Sequence, residues 1–405
     1  MPTLTGAGAA QAAGLRAGGG DLGLWPAAIE VLKALGVTAA EVAAFGRAVA
    51  RGELWSSRGH RLAAFDLQAV AGPAGGGEDF HVVHREGLHA ALAARLDGAA
   101  LLTDCEVEGF AQDAGGVDVA YRRGGRRRTL RGRALVGADG LGSAVRRALW
   151  AGEDAAAAAR RAGEVCIRGT ARVEAPLFDA ERAGTFALVS GPGRRAAAGA
   201  CSGDGRLVYW WVKEPGAGTG EDRARCKARL LAEYAAWPLG LCRAVAATPA
   251  DRILIDELVD LEPFPEWTRG RVALMGDACH PTTPNMGQGA CLALEDALVL
   301  ATLLRRHLDR GGRYAVADAL KAFQACRAEH AARVQALSWR QGRLGQIAHP
   351  ALVFLKEFVL KRLPAAAHET KLRQNIFNFP EGMGAWVAEY REAAGRLPRY
   401  AQWKA

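Results

Sequence analysis

The sequence predicts a mixed α/β (α+β) protein, and three observations support this fold class. Apolar strands run through glycine-containing turns into helices at two places, residues 133–149 and 270–300. A series of β-type segments occupies residues 165–213, between these two places. Long helical patterns follow over residues 289–308 and 315–346. Strand-turn-helix joints on both sides of a run of strands indicate an α/β unit with a second, sheet-based unit.

The composition is that of a globular protein. The chain has 405 residues, enough for two or three domains. Half of the residues are hydrophobic and 23% are charged. The net charge of +9 comes mostly from arginine, and the heavy use of Ala, Gly and Arg is as typical of a GC-rich genome as of a function. No apolar run reaches the roughly 18 residues of a membrane span, and no basic-then-apolar signal sequence follows Met1.

The densest basic stretch, residues 121–133, favours a solvated β-hairpin. Gly124 and Gly125 supply its turn. A nucleic-acid interface is the weaker alternative, because the stretch lacks interleaved aromatic residues and a recognition helix. We therefore expect no nucleic-acid partner.

The eight cysteines show no metal-binding pattern. They form no Cys-x-x-Cys pair and have no histidine at zinc spacing, so we expect no metal site. Scattered free thiols are typical of a reducing compartment. The expected location is the cytoplasm, or a plastid if a transit peptide precedes the given sequence.

Three helices can be predicted outside these regions. Residues 26–35 have Pro26 in the first turn and Gly36 as a stop. A second helix starts at Arg85, where residues 88, 92 and 96 place leucines on one stripe. Residues 351–363 form an amphipathic, basic helix near the C-terminus. Packing on its own domain is our main interpretation of that helix, and contact with a membrane surface or a partner is the alternative.

Three strand-like runs follow the helix that starts at Arg85. They cover residues 101–108, 117–122 and 129–138, and glycine-rich turns separate them. This spacing predicts an antiparallel meander.

The first chemical motif is GADGLGSAVR, residues 137–146. An apolar strand ends at Asp139 and Gly140, and the missing Cβ atoms of Gly140 and Gly142 let a ligand approach the backbone. Ser143 can cap the following helix, and Arg146 lies one turn in, within reach of an anion near the helix N-terminus. The alternative is an ordinary strand-turn-helix joint.

The second motif is more specific: GDACHPTTPNMGQGACLALEDA, residues 276–297. A buried strand ends at Gly276 and Asp277, whose carboxylate can accept hydrogen bonds from cofactor hydroxyls. Pro281 and Pro284 stiffen the loop that follows. The loop ends with Gly287, Gln288 and Gly289, whose backbone N–H groups can approach a ring or a pyrophosphate at the positive end of a helix.

Together these two motifs resemble the paired signatures of the FAD-dependent aromatic-ring hydroxylases, the single-component flavoprotein monooxygenases with a p-hydroxybenzoate hydroxylase-like fold. The segments VVHREGLHAAL and FQACRAEHAARVQALSWRQGRLGQ extend the resemblance over about residues 18–364. It implies a Rossmann-like FAD/NAD(P)-binding domain, a β-sheet substrate domain and C-terminal helices. The implied boundaries are 18–160 with 252–310 for FAD binding, 161–251 for the substrate domain and 311–405 for the helical region.

The resemblance also implies roles for the cofactor residues. Asp277 would hold the ribityl chain of FAD, Pro284 would face the isoalloxazine ring, and Arg85 would contact the central portion. Gly287, Gln288 and Gly289 would lie under the pyrophosphate and the pyrimidine edge of the flavin, with Gly276 in the turn before them. The motif of Asp139, Gly140, Ser143 and Arg146 is associated with both FAD and NAD(P)H.

The resemblance also implies roles for residues that do not contact the cofactor directly. Asp296 matches a position with a structural role, and His280 fits packing and hydrogen bonding better than proton transfer. Substrate is expected between the flavin and the middle sheet, where Tyr209, Trp210 and Trp211 are possible lining residues. Because side chains alternate along a strand, only one face of this triplet can point inward.

The implied reaction is hydroxylation of a small aromatic or similar electron-rich substrate. NAD(P)H would reduce FAD, dioxygen would add as a flavin hydroperoxide, and its distal oxygen would pass to the ring. An epoxidase of the carotenoid type and a non-catalytic remnant are the alternatives.

The N-terminus departs from the family pattern. A member should begin with a strand, a Gly-x-Gly-x-x-Gly turn, a helix and a second strand, a unit of about 30 residues. Gly6 and Gly8 suggest such a turn, but Gln11 stands where the third glycine belongs. We therefore expect residues 1–17 to be low-complexity lead-in, the phosphate-binding unit to be missing, and FAD binding by this chain to be weak or absent.

Overall fold

The computed structural model describes residues 8–9, 20–71, 79–96, 101–151, 159–179, 182, 184–217, 220–310, 315–376 and 383–395. Its strands are β1 (Gly8–Ala9), β2 (Leu22–Leu24), β3 (Gly46–Val49), β4 (Arg51–Ser56), β5 (Arg61–Asp66), β6 (Phe80–Val83), β7 (Leu101–Leu102), β8 (Glu106–Gln112), β9 (Val117–Arg123), β10 (Arg126–Gly132), β11 (Leu135–Gly137), β12 (Ala159–Arg172), β13 (Thr185–Gly191), β14 (Arg194–Ala200), β15 (Leu207–Pro215), β16 (Leu254–Leu261), β17 (Thr268–Arg269) and β18 (Val272–Leu274).

The helices of the described residues are α1 (Pro26–Ala34), α2 (Ala39–Phe45), α3 (Leu67–Ala71), α4 (Arg85–Ala93), α5 (Ala144–Leu149), α6 (Arg223–Glu233), α7 (Leu241–Ala247), α8 (Gly289–Arg310), α9 (Ala315–Gly345), α10 (Pro350–Arg362), α11 (Ala365–Ile376) and α12 (Met383–Gly395). The mixed α/β (α+β) class is therefore confirmed, and the predicted helices at residues 26, 85, 289, 315 and 351 are present.

A seven-stranded sheet forms one layer of the molecule. Its strand order is β16-β12-β15-β14-β13-β4-β5, with β13 and β4 parallel and the other pairs antiparallel. One face packs against α6 and α7 through a core that includes Ile167, Trp210 and Leu230, all fully buried. The sheet includes β4, β5 and β16, which lie outside the predicted substrate domain of residues 161–251. The boundaries of the substrate domain remain a proposal, and the sheet extends beyond them by these three strands.

A short parallel pair forms the centre of the other layer. Leu135 to Gly137 in β11 align with Val272 to Leu274 in β18, and β17 continues the sheet. Strand β18 is fully buried beneath α8 and α9, in a core that contains Phe323. A Cβ on Gly137 would lie 2.7 Å from Cβ of Val145, so glycine permits the close approach of α5. Because the strands are parallel, both chemical motifs begin at the same edge of this sheet.

The meander β8-β9-β10 is present, with two corrections to its predicted bounds. The predicted strand over residues 101–108 is split at Asp104, whose φ of 57° breaks the extended backbone, and β7 pairs in parallel with β1 instead of joining the meander. The predicted strand over 129–138 likewise divides into β10 and β11, which belong to different sheets. Gly124 and Gly125 have φ of 54° and 75°, which confirms the hairpin turn.

Small elements complete the described part of the chain. Strands β2, β6 and β3 form a sheet over a core shared with α1. Gly36, with φ of 85°, follows the end of α1 as predicted. All eight cysteines are free. Among the described helices, none combines the length and the apolar character needed to cross a bilayer.

Candidate functional site

The turn after β18 presents an unused carboxylate. Gly276 has φ of 59°, which lets the chain turn sharply from the buried strand into a short 3-10 turn. The Asp277 side chain is exposed and accepts no hydrogen bond from the described residues. Partial desolvation raises its carboxyl pKa, while the charges of His280 and Arg85 oppose this shift. Asp277 is thus a free acceptor, and Arg85 is close enough to act on it electrostatically.

The loop that follows is shaped for close approach by a ligand. Pro284 and Gly287 are exposed, and Gly287 has φ of 62°. A Cβ on Gly289 would lie 3.3 Å from Oγ1 of Thr282, so a larger residue would crowd the loop. Helix α8 begins at Gly289, with its unpaired N–H groups and positive dipole end at the loop. Gln288 is buried beneath these residues.

A buried charge network supports the loop from α8 and α9. Asp296 accepts from the backbone N–H of Gly276 at 3.1 Å, lies 2.6 Å from Nε2 of His280, and accepts from Nε of Arg327 at 2.8 Å. A second nitrogen of Arg327 donates to Glu295 at 2.7 Å. Burial alone would raise the pKa of the Asp296 carboxyl, but His280 and Arg327 hold it well below its usual value. The structural role of Asp296 stays our interpretation, and this network supports it.

His280 belongs to this network and is completely buried. Its ring, a sulfur of Cys279 and a carboxylate oxygen of Asp296 lie within 4.8 Å of one another, a grouping that could suit a metal ion. Both Asp296 oxygens already accept hydrogen bonds, and burial raises the pKa of the Cys279 thiol well above its ordinary value. Because metals bind the thiolate, these contacts favour a structural cluster.

The first motif lies at the neighbouring strand end. Asp139 accepts from the hydroxyl of Ser143 at 2.5 Å and from the backbone N–H groups of Ala144 and Val145 at 2.7 and 3.1 Å. Ser143 caps α5 by accepting from the backbone N–H of Arg146 at 2.8 Å, as predicted. The backbone N–H groups at the N-terminus of α5 are therefore already bonded to side chains of the protein.

Arg146 also differs from its predicted geometry. Its guanidinium is buried and donates to the carbonyl oxygens of Leu141 and Ala278, the latter at 2.7 Å. Arg146 therefore joins the turn after β11 to the turn after β18. The two guanidinium nitrogens that make these hydrogen bonds do not face an anion site. Gly140 has φ of 78°, and a Cβ on Gly140 or Gly142 would meet no heavy atom within 4 Å. The open space in this motif lies beside the two glycines.

The aromatic triplet of β15 is divided between the two faces of the seven-stranded sheet. Trp210 points into the helical layer, is fully buried and donates its indole N–H to Thr248 at 2.8 Å. Tyr209 and Trp211 point to the other face, where they pack against the core beside β2 and α1. Trp210 thus lies on the wrong face to line a shared cleft with Tyr209, as side-chain alternation requires.

Lys213 continues the face of Tyr209 and Trp211 and contacts the glycine loop. Its ammonium donates to the carbonyl of Pro284 and to Oδ1 of Asn285, both at 3.0 Å, and lies 4.6 Å from the Trp211 ring centroid. Lys213 is 3% exposed. It is therefore a direct link between the sheet and the loop.

A buried ion pair accompanies Lys213 across the sheet. Arg195, its cross-strand neighbour on β14, makes two hydrogen bonds to the Glu164 carboxylate, at 2.7 and 2.9 Å. On the other side of the loop, Asn285 donates to Thr283 and to the carbonyl of Ser338 on α9. The loop is consequently held from both layers of the molecule.

A second polar pair lies near the start of α4. His84 Nδ1 is 2.7 Å from Oδ1 of Asp21, whose side chain is fully buried. The hydrogen bond to Asp21 raises the pKa of His84. This contact holds His84, the residue before Arg85, in place at the start of α4.

Sequence reasoning missed Lys213, Arg327 and Asp21. Lys213 could have been found from the alternation of β15, because a lysine two residues beyond Trp211 had to share its face. Arg327 lies in a segment that carried the family resemblance, but nothing in its spacing indicated which acids it would pair with. Asp21 had no signal in the sequence.

We expect Lys213 to give the native protein a distinctive pH dependence. Burial lowers its pKa to about 7, with help from the charge of Arg195, against 10.5 for an ordinary lysine. Between these values the unfolded chain holds a proton that the native protein has released, so raising the pH stabilises the native state. As the pH is raised from 7 to 10, the unfolding free energy of the wild type should therefore increase relative to that of Lys213→Met, by up to about 1.4 kcal/mol per pH unit.

Denaturant unfolding at several pH values measures this difference. Lys321→Met is the matched control, because Lys321 is an exposed lysine on α9. Its difference from wild type should not change across the same range. Parallel pH profiles for wild type and Lys213→Met would contradict the assignment.

A buried parallel strand that ends in a free carboxylate, followed by a glycine loop at a helix N-terminus, is an arrangement suited to a dinucleotide cofactor. The family model described as "FAD binding domain" matches residues 21–338. The chain therefore belongs to the FAD-binding domain family, and it is an oxidoreductase related to FAD-dependent monooxygenases.

Similar proteins support this family assignment. Aurachin C monooxygenase/isomerase of Stigmatella aurantiaca is 30% identical over 362 residues, 89% of this chain and 88% of that protein. 2-Heptyl-3-hydroxy-4(1H)-quinolone synthase of Pseudomonas aeruginosa is 35% identical over 260 residues, 63% of this chain and 62% of that protein. The fold is also that of Klebsiella pneumoniae HpxO complexed with FAD and uric acid, with a TM-score of 0.77, 24% identity and coverage of 90% of this chain and 89% of that one.

Proposed function

We propose that this protein is an FAD-dependent monooxygenase that uses NAD(P)H and dioxygen to hydroxylate an electron-rich aromatic ring. The observation that carries the proposal is the Asp277 carboxylate, which stands at the end of buried β18 and has no hydrogen bond from the described residues. A charged acceptor left free beside a glycine loop is what the hydroxyls of a ribityl chain require.

The described residues fit the flavin half of the cofactor. Asp277 would accept hydrogen bonds from the ribityl chain, and the N–H groups at the start of α8 would face the pyrophosphate. Arg85 would add positive charge near the same phosphates. FAD, when bound, supplies the redox chemistry that activates dioxygen, and the protein supplies position, charge and exclusion of water.

The substrate would lie between the glycine loop and the sheet face of Tyr209 and Trp211. Lys213 holds Pro284 and Asn285 against that face by direct hydrogen bonds, which would fix the position of the loop beside a bound ring. Trp211 offers a flat apolar wall for a ring. The relative named for a quinolone makes a quinolone-like ring the first substrate class to test.

The motif around Asp139 has room for the reducing cosubstrate. Gly140 and Gly142 border open space, and the helix beyond them is already capped by Asp139 and Ser143. We infer that NAD(P)H approaches along the two glycines, with Arg146 holding the turn in place. Gly142→Val should therefore weaken cosubstrate use more than FAD binding.

An activity assay on the full chain with added FAD tests the proposed function. NADH and NADPH oxidation would be followed with an alkylated quinolone, a phenol, salicylate, uric acid and zeaxanthin. We expect one aromatic compound to stimulate oxidation and to gain one oxygen atom by mass spectrometry, with little hydrogen peroxide released. Stimulation by zeaxanthin alone would favour the epoxidase, and the absence of any NAD(P)H oxidation with bound FAD would favour the remnant.

A further inference from the structure

Helix α10 has an unusual distribution of polar and apolar residues. Its charged residues Lys356 and Glu357 face the protein: Lys356 donates to the hydroxyl of Ser190 at 3.0 Å, and Glu357 is buried and paired with Arg58. Val353 is buried on the same side. The inner face of α10 is thus fixed to the protein partly through ionic and polar contacts.

The outer face of α10 is apolar. Five large side chains are 42–62% exposed, and they are Leu352, Phe354, Leu355, Phe358 and Val359. At about 100° per residue, they cover nearly half of the helix circumference. An ordinary surface helix buries such residues and exposes its charges, so this outer face is the reverse of the usual arrangement. A contiguous exposed patch of this kind marks a contact surface.

The charges around the outer face are positive. Lys361 and Arg362 are exposed at the end of α10, and the Arg362 guanidinium lies 3.5 Å from the centroid of the Phe358 ring. Arg340 and Arg343 are exposed at the end of α9. Residues 340–362 contain five Lys or Arg and one acid, Glu357, which is already neutralised by Arg58.

We propose that the outer face of α10 docks on an anionic lipid surface, with the helix axis in the membrane plane. An apolar stripe with basic residues at its edge is the pattern of an interfacial helix. Thirteen residues span about 20 Å, too short for a crossing but suited to lying in the interface.

The charges argue against two other occupants. In a symmetric dimer the same face of both copies would meet, and the basic groups of Lys361 and Arg362 would face a surface on which the one acid of residues 340–362, Glu357, is already paired with Arg58. Residues 396–405 carry three basic residues and no acid, so this segment would also be repelled. Anionic headgroups are complementary to the rim, and acyl chains are complementary to the five apolar side chains.

Docking would bring the segment that connects α9 and α10 close to the lipid. This segment contacts the seven-stranded sheet: Ile347 accepts from the backbone N–H of Gly193, in the turn between β13 and β14, at 2.9 Å, and Gln346 donates to the carbonyl of Ala162 on β12 at 3.0 Å. The proposal does not depend on the proposed catalytic function, because it rests only on α10 and the basic residues beside it.

Vesicle flotation of the full chain tests this proposal. The protein would be mixed with vesicles of phosphatidylcholine alone or of phosphatidylcholine with phosphatidylglycerol. We expect binding to the anionic vesicles, weaker binding at high salt, and a partition coefficient at least about tenfold lower for the triple variant Phe354→Ser, Leu355→Ser, Phe358→Ser. The double variant Lys361→Gln, Arg362→Gln should bind the anionic vesicles more weakly than the wild type does, and its binding to phosphatidylcholine vesicles should be unchanged.

Leu96→Ser is the matched control, because Leu96 is 51% exposed and lies outside α10. It should bind vesicles as the wild type does, and circular dichroism should show that all variants remain folded. Failure of the wild type to bind anionic vesicles would overturn the proposal, as would equal binding by the triple variant. A dimer that dissociates on the triple substitution, without vesicle binding, would assign the face to a second copy instead.

Discussion

Replacing Arg327 with methionine should lower the free energy of unfolding by about 3–5 kcal/mol, because the change leaves two carboxylates buried without their cation. Arg327 is 1% exposed and donates to both Glu295 and Asp296. Asp296 in turn holds His280 and the backbone N–H of Gly276, at the turn that carries Asp277. Denaturant titration of wild type and variant measures the loss, and FAD binding should weaken with it.

Two further variants separate charge from packing at this position. Arg391→Met removes an exposed arginine that pairs with Glu30, and should cost no more than about 1 kcal/mol. Combining Arg327→Met with Glu295→Gln and Asp296→Asn should recover part of the lost stability, since the buried negative charge is removed as well. No recovery in that triple variant would contradict the explanation by unpaired buried charge.

Replacing Trp210 with alanine should cost about 3–5 kcal/mol in unfolding free energy, because the side chain is completely buried under α6 and α7. The change would also remove its hydrogen bond to Thr248. Thermal or denaturant unfolding measures the loss, and the KM for an accepted aromatic substrate should change little in the folded fraction.

Trp211→Ala is the natural comparison, since Trp211 is adjacent in sequence and lies on the opposite face. Its half-buried side chain should cost less stability, while the KM should rise because the ring lies beside Lys213 and the loop. A larger increase in KM for Trp210→Ala than for Trp211→Ala would contradict the placement of the substrate on the sheet face that carries Tyr209 and Trp211.

The fold was largely predictable because its signals are local. Pro26 and Gly36 mark the ends of α1 in the way that helix geometry requires, and Gly124 with Gly125 marks the hairpin turn. The buried strand and glycine loop around Asp277 were recognisable because close backbone approach restricts the residue types at those positions. Neither the split between β7 and β8 nor the separation of β10 from β11 had such a signal, since both depend on which sheet each strand joins.

The site was less predictable because it depends on contacts between distant residues. Lys213 and Pro284 are 71 positions apart, and Arg327 and Asp296 are 31 apart. Arg146 illustrates the same limit: its position in the motif suggested an anion ligand, but the carbonyl of Ala278, 132 residues away, takes one of its donors. Propensity and spacing carry no information about such pairs.

The expectation of weak or absent FAD binding concerns residues 1–17, of which the structure describes only Gly8 and Ala9. It stays a prediction. If the adenosine half of FAD has few contacts, FMN and FAD should bind with similar affinities, and FAD should be lost during purification. Stoichiometric FAD that survives purification would show that expectation to be wrong.

The most direct test of the flavin site is a titration of the purified protein with FAD, followed by flavin fluorescence, for wild type, Asp277→Ala and Asp251→Ala. Asp251 is an exposed carboxylate outside the site and serves as the control. We predict that Asp251→Ala binds FAD as the wild type does, and that Asp277→Ala binds it at least about tenfold more weakly, because a charged acceptor is lost. Equal FAD affinities for wild type and Asp277→Ala would contradict the assignment of Asp277 to the flavin site.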